Sequence, residues 1–127
     1  MYLEASFGAV YEPTFEQVEA ALLEMDNAAK AWVLFTHDPA DVDERFLIAS
    51  GGNQDRILVS YVDTTNDVSM NLLGDLPEDA PDIGMLAGNQ RAEYPAKYAV
   101  LKQVAVEAFR HYFYYKTLLK KLNWEER

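Results

Sequence analysis

The chain has 127 residues, of which 50% are hydrophobic and 13% aromatic, and its formal net charge at pH 7 is −10. This composition excludes a disordered chain, and the length predicts a single domain over residues 1–127. The chain contains no cysteine, which predicts a protein without disulfides. It has no signal-peptide pattern and no apolar run near the roughly 18 residues of a membrane span, so we expect a soluble, cytoplasmic protein.

The N-terminal third predicts a strand, a helix and a second strand. Residues 2–11 are rich in aromatic and branched side chains and predict one strand, with Gly8 at a bulge. A capping-box pattern at Thr14–Gln17 opens a short helix that we expect to end near Asn27. The continuous apolar run over residues 31–36 predicts a strand buried on both faces.

The middle of the chain predicts further strands and then a long loop. Residues 46–49 and 56–63 have strand patterns, and the glycines and asparagine at 51–53 predict the turn that joins them as an antiparallel hairpin. Residues 68–73 alternate in polarity and predict another strand. Residues 74–89 contain two prolines, three glycines and four acids, which indicates a long loop.

Residues 92–125 contain the strongest helical pattern, which follows Tyr94-Pro95 and a short β-prone step. Its apolar stripe recurs at three- and four-residue spacing and comprises Leu101, Val104, Ala105, Ala108, Tyr112 and Tyr115. We expect this helix to lie on the face of a sheet, with Leu122 and Trp124 folding back as a hydrophobic latch. The fold class predicted is α+β, a single antiparallel sheet of about five or six strands with an early short helix and a long C-terminal helix packed on it.

No motif with a known catalytic mechanism is present. The chain lacks a phosphate-binding glycine loop, histidines at metal-ligand spacing and a nucleophile elbow. His37 beside Asp38 is the only pair that resembles an acid–base couple, but Asp38-Pro39 is typical of a turn. His111, which lies within the aromatic helix, is expected to be a hydrogen-bonded boundary residue and not a ligand. We therefore predict no catalytic residue, no cofactor and no metal.

The charge is distributed unevenly along the chain. Residues 1–82 hold 17 acidic and 3 basic residues, whereas residues 83–127 hold 4 acidic and 8 basic residues. An acidic field repels nucleic acid and anionic membranes and attracts basic partners, although acidity also keeps small proteins soluble. The charge and the missing catalytic motifs favour a protein-binding function, with neither nucleic acid nor membrane as the partner.

The C-terminal half resembles a known family. It is similar to the first-numbered family of bacterial polymorphic-toxin immunity proteins. The similarity lies in residues 88–90, residues 93–95, a helix rich in phenylalanine and the closing residues 122–125. Such proteins tend to have a glycine and a proline between the helix and the terminal tryptophan, where Lys116 and Leu119 stand in this chain.

The earlier elements are also similar to that family. They are the helix that opens at Thr14, the strand over residues 32–35, the Gly-Gly hairpin and the strand that contains Tyr61, so the resemblance spans most of the chain. It implies one function, which is to bind and block a cognate toxin made by the same cell.

The first hypothesis is therefore an immunity protein whose acidic surface docks in the basic cleft of a nucleic-acid-targeting toxin in place of phosphates. The candidate contacts are Asp41, Asp43, Glu44, Asp75, Glu78, Asp79, Asp82, Met85 and Leu86. Two alternatives are an adaptor or scaffold subunit that uses the same surface, and a small enzyme with a pocket between sheet and helix near His37. The sequence leaves the toxin, its reaction and the choice between monomer and homodimer open.

Overall fold

A computed structural model describes all residues from 1 to 127. The two α-helices are α1 (Phe15–Leu23) and α2 (Lys102–Tyr115). The strands, in chain order, are β1 (Tyr2–Ala5), β2 (Gly8–Tyr11), β3 (Trp32–Thr36), β4 (Arg45–Asn53), β5 (Arg56–Asp63), β6 (Val68–Leu72), β7 (Ile83–Ala87), β8 (Gln90–Tyr94), β9 (Val100–Leu101) and β10 (Trp124–Glu126). The predicted α+β class is confirmed. Neither helix is long and apolar enough to cross a membrane.

Eight of the strands form the main sheet, in the order β10-β6-β5-β4-β3-β1-β2, with β9 paired to β5. Every pair is antiparallel. The sheet is therefore larger than the predicted five or six strands. Part of the difference lies at its two edges, where β2 and β10 each add a short strand that the sequence patterns do not predict as a strand of its own.

The single strand predicted over residues 2–11 is wrong, since the chain reverses there and forms the hairpin of β1 and β2, with Tyr2 opposite Tyr11. Gly8 is the first residue after the turn and not a bulge. Its φ of +119° is strained for residues with a side chain, so a glycine at this position allows the tight return.

Helix α1 begins as the sequence predicted. Thr14 Oγ1 accepts from the Gln17 amide at 3.3 Å, and Gln17 Oε1 accepts from the Thr14 amide at 2.9 Å, which completes the capping box. The helix ends at Leu23 and not near Asn27, because Asp26 and Asn27 form a turn. Asp26 Oδ1 accepts backbone hydrogen bonds from residues 28 and 30, and Asn27 has a left-handed φ of 62°.

Helix α2 packs on the sheet through the centre of its predicted stripe. Ala105, Phe109 and Tyr112 are buried in one core cluster with the inward-facing side chains of the sheet. Removing a phenylalanine side chain from such a site costs about 3–5 kcal/mol. Tyr115, the last residue of the predicted stripe, is exposed because the helix ends there.

The chain after α2 returns to the sheet as the sequence predicted. Lys116 has a left-handed φ of 60°, and its amide donates to Tyr112 O at 2.9 Å, which ends the helix. Leu122 and Trp124 pack against the core, and Trp124 lies opposite Leu72 where β10 pairs with β6. The predicted hydrophobic latch is therefore a short strand at the edge of the sheet.

The predicted turn at residues 51–53 is wrong, because β4 runs through Asn53 and the turn is Gln54-Asp55, both with positive φ. Gly51 and Gly52 have another reason to be glycines. A Cβ on Gly51 would lie 2.5 Å from Met85 Sδ, and one on Gly52 would lie 2.7 Å from the Asn27 backbone nitrogen. Two segments thus cross directly over this part of β4.

The long loop predicted over residues 74–89 is only partly correct. Residues 83–87 form β7, which pairs with β8 in a separate two-stranded hairpin. Its turn is Gly88-Asn89, with φ of 57° and 63°, a two-residue turn of the kind that favours hairpins. Prolines and glycines dominate the segment before this turn, so the local pattern predicts a loop there and not a hairpin.

Candidate functional site

The loop after β3 and the turn after β5 meet at one end of the main sheet. The Thr64 amide donates to Glu44 O at 2.7 Å and joins the two segments. Five acidic side chains lie here, all exposed apart from the half-buried Asp41, and we call them the acidic end: Asp38, Asp41, Asp43, Glu44 and Asp67. None of them lies within 4 Å of a basic nitrogen. Their charge is therefore available to a partner.

The buried carboxylate of Asp63 stabilises the turn at the acidic end. It accepts hydrogen bonds from Asn66 Nδ2 at 2.8 Å and Thr65 Oγ1 at 2.7 Å, and Arg45 Nε lies 3.4 Å away. The hydrogen bonds from Asn66 and Thr65 favour the charged form and lower the pKa of Asp63 to about 2. This carboxylate holds the turn that carries Asp67.

The second group of predicted acids lies in the loop over residues 75–82, which we call the acidic loop. Asp75 forms an ion pair with Arg56 at 2.8 Å, and Glu78 lies 3.8 Å from Lys97 Nζ. The hydrogen bond from Arg56 lowers the pKa of Asp75. Part of the charge of this loop is therefore neutralised within the chain.

Asp79 and Asp82 complete the acidic loop and are exposed without a basic partner. The loop lies near Arg56 at the start of β5, whereas the acidic end lies near Asp63 at its finish. At about 3.3 Å per residue, the eight residues of β5 separate the two groups by about 23 Å. The structure thus divides the predicted acidic residues between opposite ends of the sheet.

The two predicted apolar contacts differ in accessibility. Met85 is 1% exposed and lies against Gly51, so its side chain belongs to the packing between the β7–β8 hairpin and β4. Leu86 is half-buried on the other side of β7, and its amide donates to Asn27 Oδ1 at 2.8 Å. Of this pair, Leu86 has the side chain that a partner can reach.

His37 and Asp38 do not face each other. His37 Nε2 lies 2.6 Å from the Tyr112 carbonyl, and since a carbonyl only accepts, Nε2 carries the proton. Burial lowers the pKa of His37. Asp38 Oδ1 accepts from the Ala40 amide at 2.9 Å and begins a short 3-10 helix. Both side chains therefore make local structural contacts, His37 at the end of α2 and Asp38 at a turn.

His111 lies within α2 and is hydrogen-bonded, as the sequence predicted. It is half-buried, and its Nε2 lies 3.1 Å from Thr117 Oγ1, just beyond the end of α2. This contact joins the helix to the segment that leads to β10.

The face of the main sheet that points away from the helices carries an apolar cluster, interrupted by Thr36, Ser50 and Ser60. Alternation along β3, β4 and β5 directs six side chains to this face, and we call them the open face: Trp32, Leu34, Phe46, Ile48, Leu58 and Val62. All are half-buried except Leu34, which is buried. A solvated face of an antiparallel sheet normally carries polar residues at such positions.

The β7–β8 hairpin crosses the open face and leaves a groove on each side. One groove, of about 380 Å³, is lined by Leu58, Tyr94 and Tyr98 among others. The other, of about 310 Å³, is lined by Trp32 and Leu86 among others. Ile48 and Ser50 line both grooves, so the hairpin covers the face only in part. The sequence analysis identified none of these face residues as functional, because strand patterns alone do not show which face is covered.

A family model described as immunity protein Imm1 matches residues 8–126 of the sequence. The match begins at β2 and includes the acidic end, the acidic loop, the open face and both helices. No curated protein sequence matches the chain. The family match confirms the resemblance that the sequence analysis identified from the C-terminal motifs and the order of elements.

Proposed function

Because the chain belongs to the Imm1 family of immunity proteins, we propose that it binds one cognate toxin domain stoichiometrically and blocks it in the cytoplasm of the cell that makes both. Its action is binding and not catalysis. The family supports a toxin as the partner, and the charge of the chain supports the chemistry by which that toxin is recognised.

The observation that carries the chemistry is the set of unpaired carboxylates at the acidic end. No internal cation neutralises Asp41, Asp43 or Glu44, so the partner that gains most from this surface is a basic one. A toxin that acts on nucleic acid has a basic surface where phosphates bind. We propose that the acidic end occupies such a surface and excludes the substrate.

The acidic loop has a secondary role in this proposal. Asp75 and Glu78 already have basic neighbours within the chain, and Asp79 and Asp82 add charge at the far end of the sheet. A distant charge of this kind steers the encounter and raises the association rate more than it strengthens the final complex. The loop is therefore a smaller contributor to affinity than the acidic end.

The experiment compares two triple variants that each remove three negative charges. One is Asp41→Asn, Asp43→Asn, Glu44→Gln, and the other is Glu78→Gln, Asp79→Asn, Asp82→Asn. The probe is the toxin domain encoded by the adjacent gene, with an inactivating substitution, and affinity is measured by calorimetry at low and physiological salt. We expect the first variant to bind about 30-fold more weakly or worse, and the second within about 3-fold of the unsubstituted protein.

Two results would contradict the proposal. If the unsubstituted protein forms no complex with the inactivated toxin, the immunity function fails for this pair, and the adaptor alternative gains support. If the complex forms but neither triple variant weakens it at low salt, the acidic residues are not the contacts. A protection assay in cells that express the active toxin checks that measured affinity and inhibition change together.

A further inference from the structure

We infer that the open face is the hydrophobic centre of the toxin interface, and that it receives an apolar segment of the toxin flanked by arginine or lysine. This inference rests on the proposed function and adds the surface on which the toxin docks. It differs from the sequence-based expectation, in which Met85 and Leu86 supplied the apolar contacts.

The chain itself does not cover the open face. The helices bury the opposite face of the sheet, and the β7–β8 hairpin crosses the open face without closing it, which leaves the two grooves beside Ile48. Apolar side chains at Phe46, Ile48 and Leu58 remain half-buried. Covering such a surface removes apolar area from water and stabilises a complex.

Negative charges lie at one end of the open face. Phe46 lies two residues after Glu44 on β4, and Val62 lies two residues before Thr64, whose amide contacts Glu44 O. The apolar surface is therefore continuous with the acidic end. An apolar centre beside a charged rim is the usual arrangement of a protein interface, and the negative sign of this rim selects a partner with basic residues around its apolar contact.

The only basic side chain that lines the larger groove does not oppose this assignment. Arg127 Nη2 donates to Ser60 Oγ at 2.9 Å, and Arg127 Nε donates to Asn71 Oδ1 at 3.1 Å. These bonds place the guanidinium over Ser60, which lies opposite Ile48, so one positive charge sits on the open face. The five carboxylates of the acidic end outnumber this single cation, so the rim of the open face remains negative.

The first test uses the two tryptophans as reporters. We would incorporate 5-fluorotryptophan into this chain alone and add the unlabelled, inactivated toxin encoded by the adjacent gene. Trp32 lies on the open face, whereas Trp124 packs at the edge of the core, and Trp124→Phe assigns the two fluorine signals. We expect the Trp32 signal to shift and lose its solvent isotope effect on binding, while the Trp124 signal changes little.

The second test compares two variants, each of which adds one positive charge on a different side of the main sheet. Ile48→Lys places it at the centre of the open face, and the matched control Leu23→Lys places it on α1, where Leu23 is 41% exposed. We expect Ile48→Lys to weaken toxin binding by at least about 30-fold, as for a central interface residue, and Leu23→Lys to change it by less than about 3-fold. Thermal unfolding of both variants checks that they fold.

The outcomes separate this inference from the proposed function. If a complex forms, but the Trp32 signal does not change or Ile48→Lys binds as the unsubstituted protein does, the open face is not the docking surface and the immunity function stands. If no complex forms, the proposed function itself fails. The tryptophan measurement needs no substitution on the face, so it tests the inference even if Ile48→Lys does not fold.

Discussion

At the scale of single residues, Asp63 connects the functional surface to stability. Its carboxylate is buried at the end of β5, accepts hydrogen bonds from Thr65 and Asn66, and lies beside Arg45 on β4. A buried carboxylate with this many donors is favourable only while it is charged. The acidic end therefore depends on an internal carboxylate that does not face the partner.

The pKa of Asp63 predicts a specific pH dependence of stability. Because folding lowers this pKa from near 4 to about 2, its contribution to stability is fully present above pH 4 and is lost as the pH falls towards 2. We expect Asp63→Asn to be less stable than the unsubstituted protein at pH 7, and the difference to shrink between pH 4 and pH 2. Urea unfolding across this range measures it.

Asp67→Asn provides the control, because this exposed residue lies in the same turn and its side chain makes no hydrogen bond. Its unfolding midpoint should follow that of the unsubstituted protein at every pH. The explanation is wrong if the difference between Asp63→Asn and the unsubstituted protein stays constant from pH 7 to pH 2.

At the scale of elements, α2 ends in a left-handed backbone conformation at a lysine, where glycine is usually preferred. Lys116 has φ 60° and ψ 20°, a left-handed conformation that glycine adopts at little cost. The resemblance described from the sequence implies a glycine between this helix and the terminal tryptophan. Lys116 makes the same chain reversal with a side chain present, and the segment still returns to form β10.

Lys116→Gly should therefore stabilise the protein. The left-handed conformation costs a residue with a side chain about 1 kcal/mol, so we expect the free energy of unfolding to rise by up to that amount. Lys120→Gly is the matched control, since it also replaces a surface lysine but at a residue without positive φ, and it should be neutral or slightly destabilising. Denaturant unfolding compares them, and equal shifts in both variants would show that the conformation of Lys116 carries no strain.

At the scale of the whole molecule, the fold places acidic residues at both ends of an eight-stranded sheet and leaves an apolar face between them. The acidic end is unpaired, the acidic loop is partly neutralised, and the two lie about 23 Å apart. A partner that covers the open face lies within reach of both. The net charge of −10 then attracts a basic partner towards this surface.

This arrangement predicts that salt acts mainly on the association rate. In stopped-flow measurements with the inactivated toxin, we expect the association rate to fall by about 10-fold or more between about 10 and 150 mM salt, and the dissociation rate to change much less. The triple variant Asp41→Asn, Asp43→Asn, Glu44→Gln should show a shallower dependence. An association rate that is independent of salt would mean that charge does not guide the encounter.

Local patterns in the sequence were sufficient to predict several elements and the family. The capping box at Thr14, the strand over residues 56–63 and the long C-terminal helix all follow from short-range periodicity and backbone chemistry. These features depend on residues close together in the chain, so the sequence contains them directly. The absence of recognised catalytic motifs and the negative charge are also properties of the sequence alone.

The tertiary structure alone decided what depends on contacts between distant segments. Gly51 and Gly52 suggest a turn, but they lie inside β4 and are glycines because Met85 and the Asn27 backbone cross over them. Met85 is buried for the same reason. The separation of the acidic residues into two groups follows from the register of β5, and the open face exists because both helices pack on the other side. A strand pattern shows which side chains share a face, and only the assembled sheet shows which face remains uncovered.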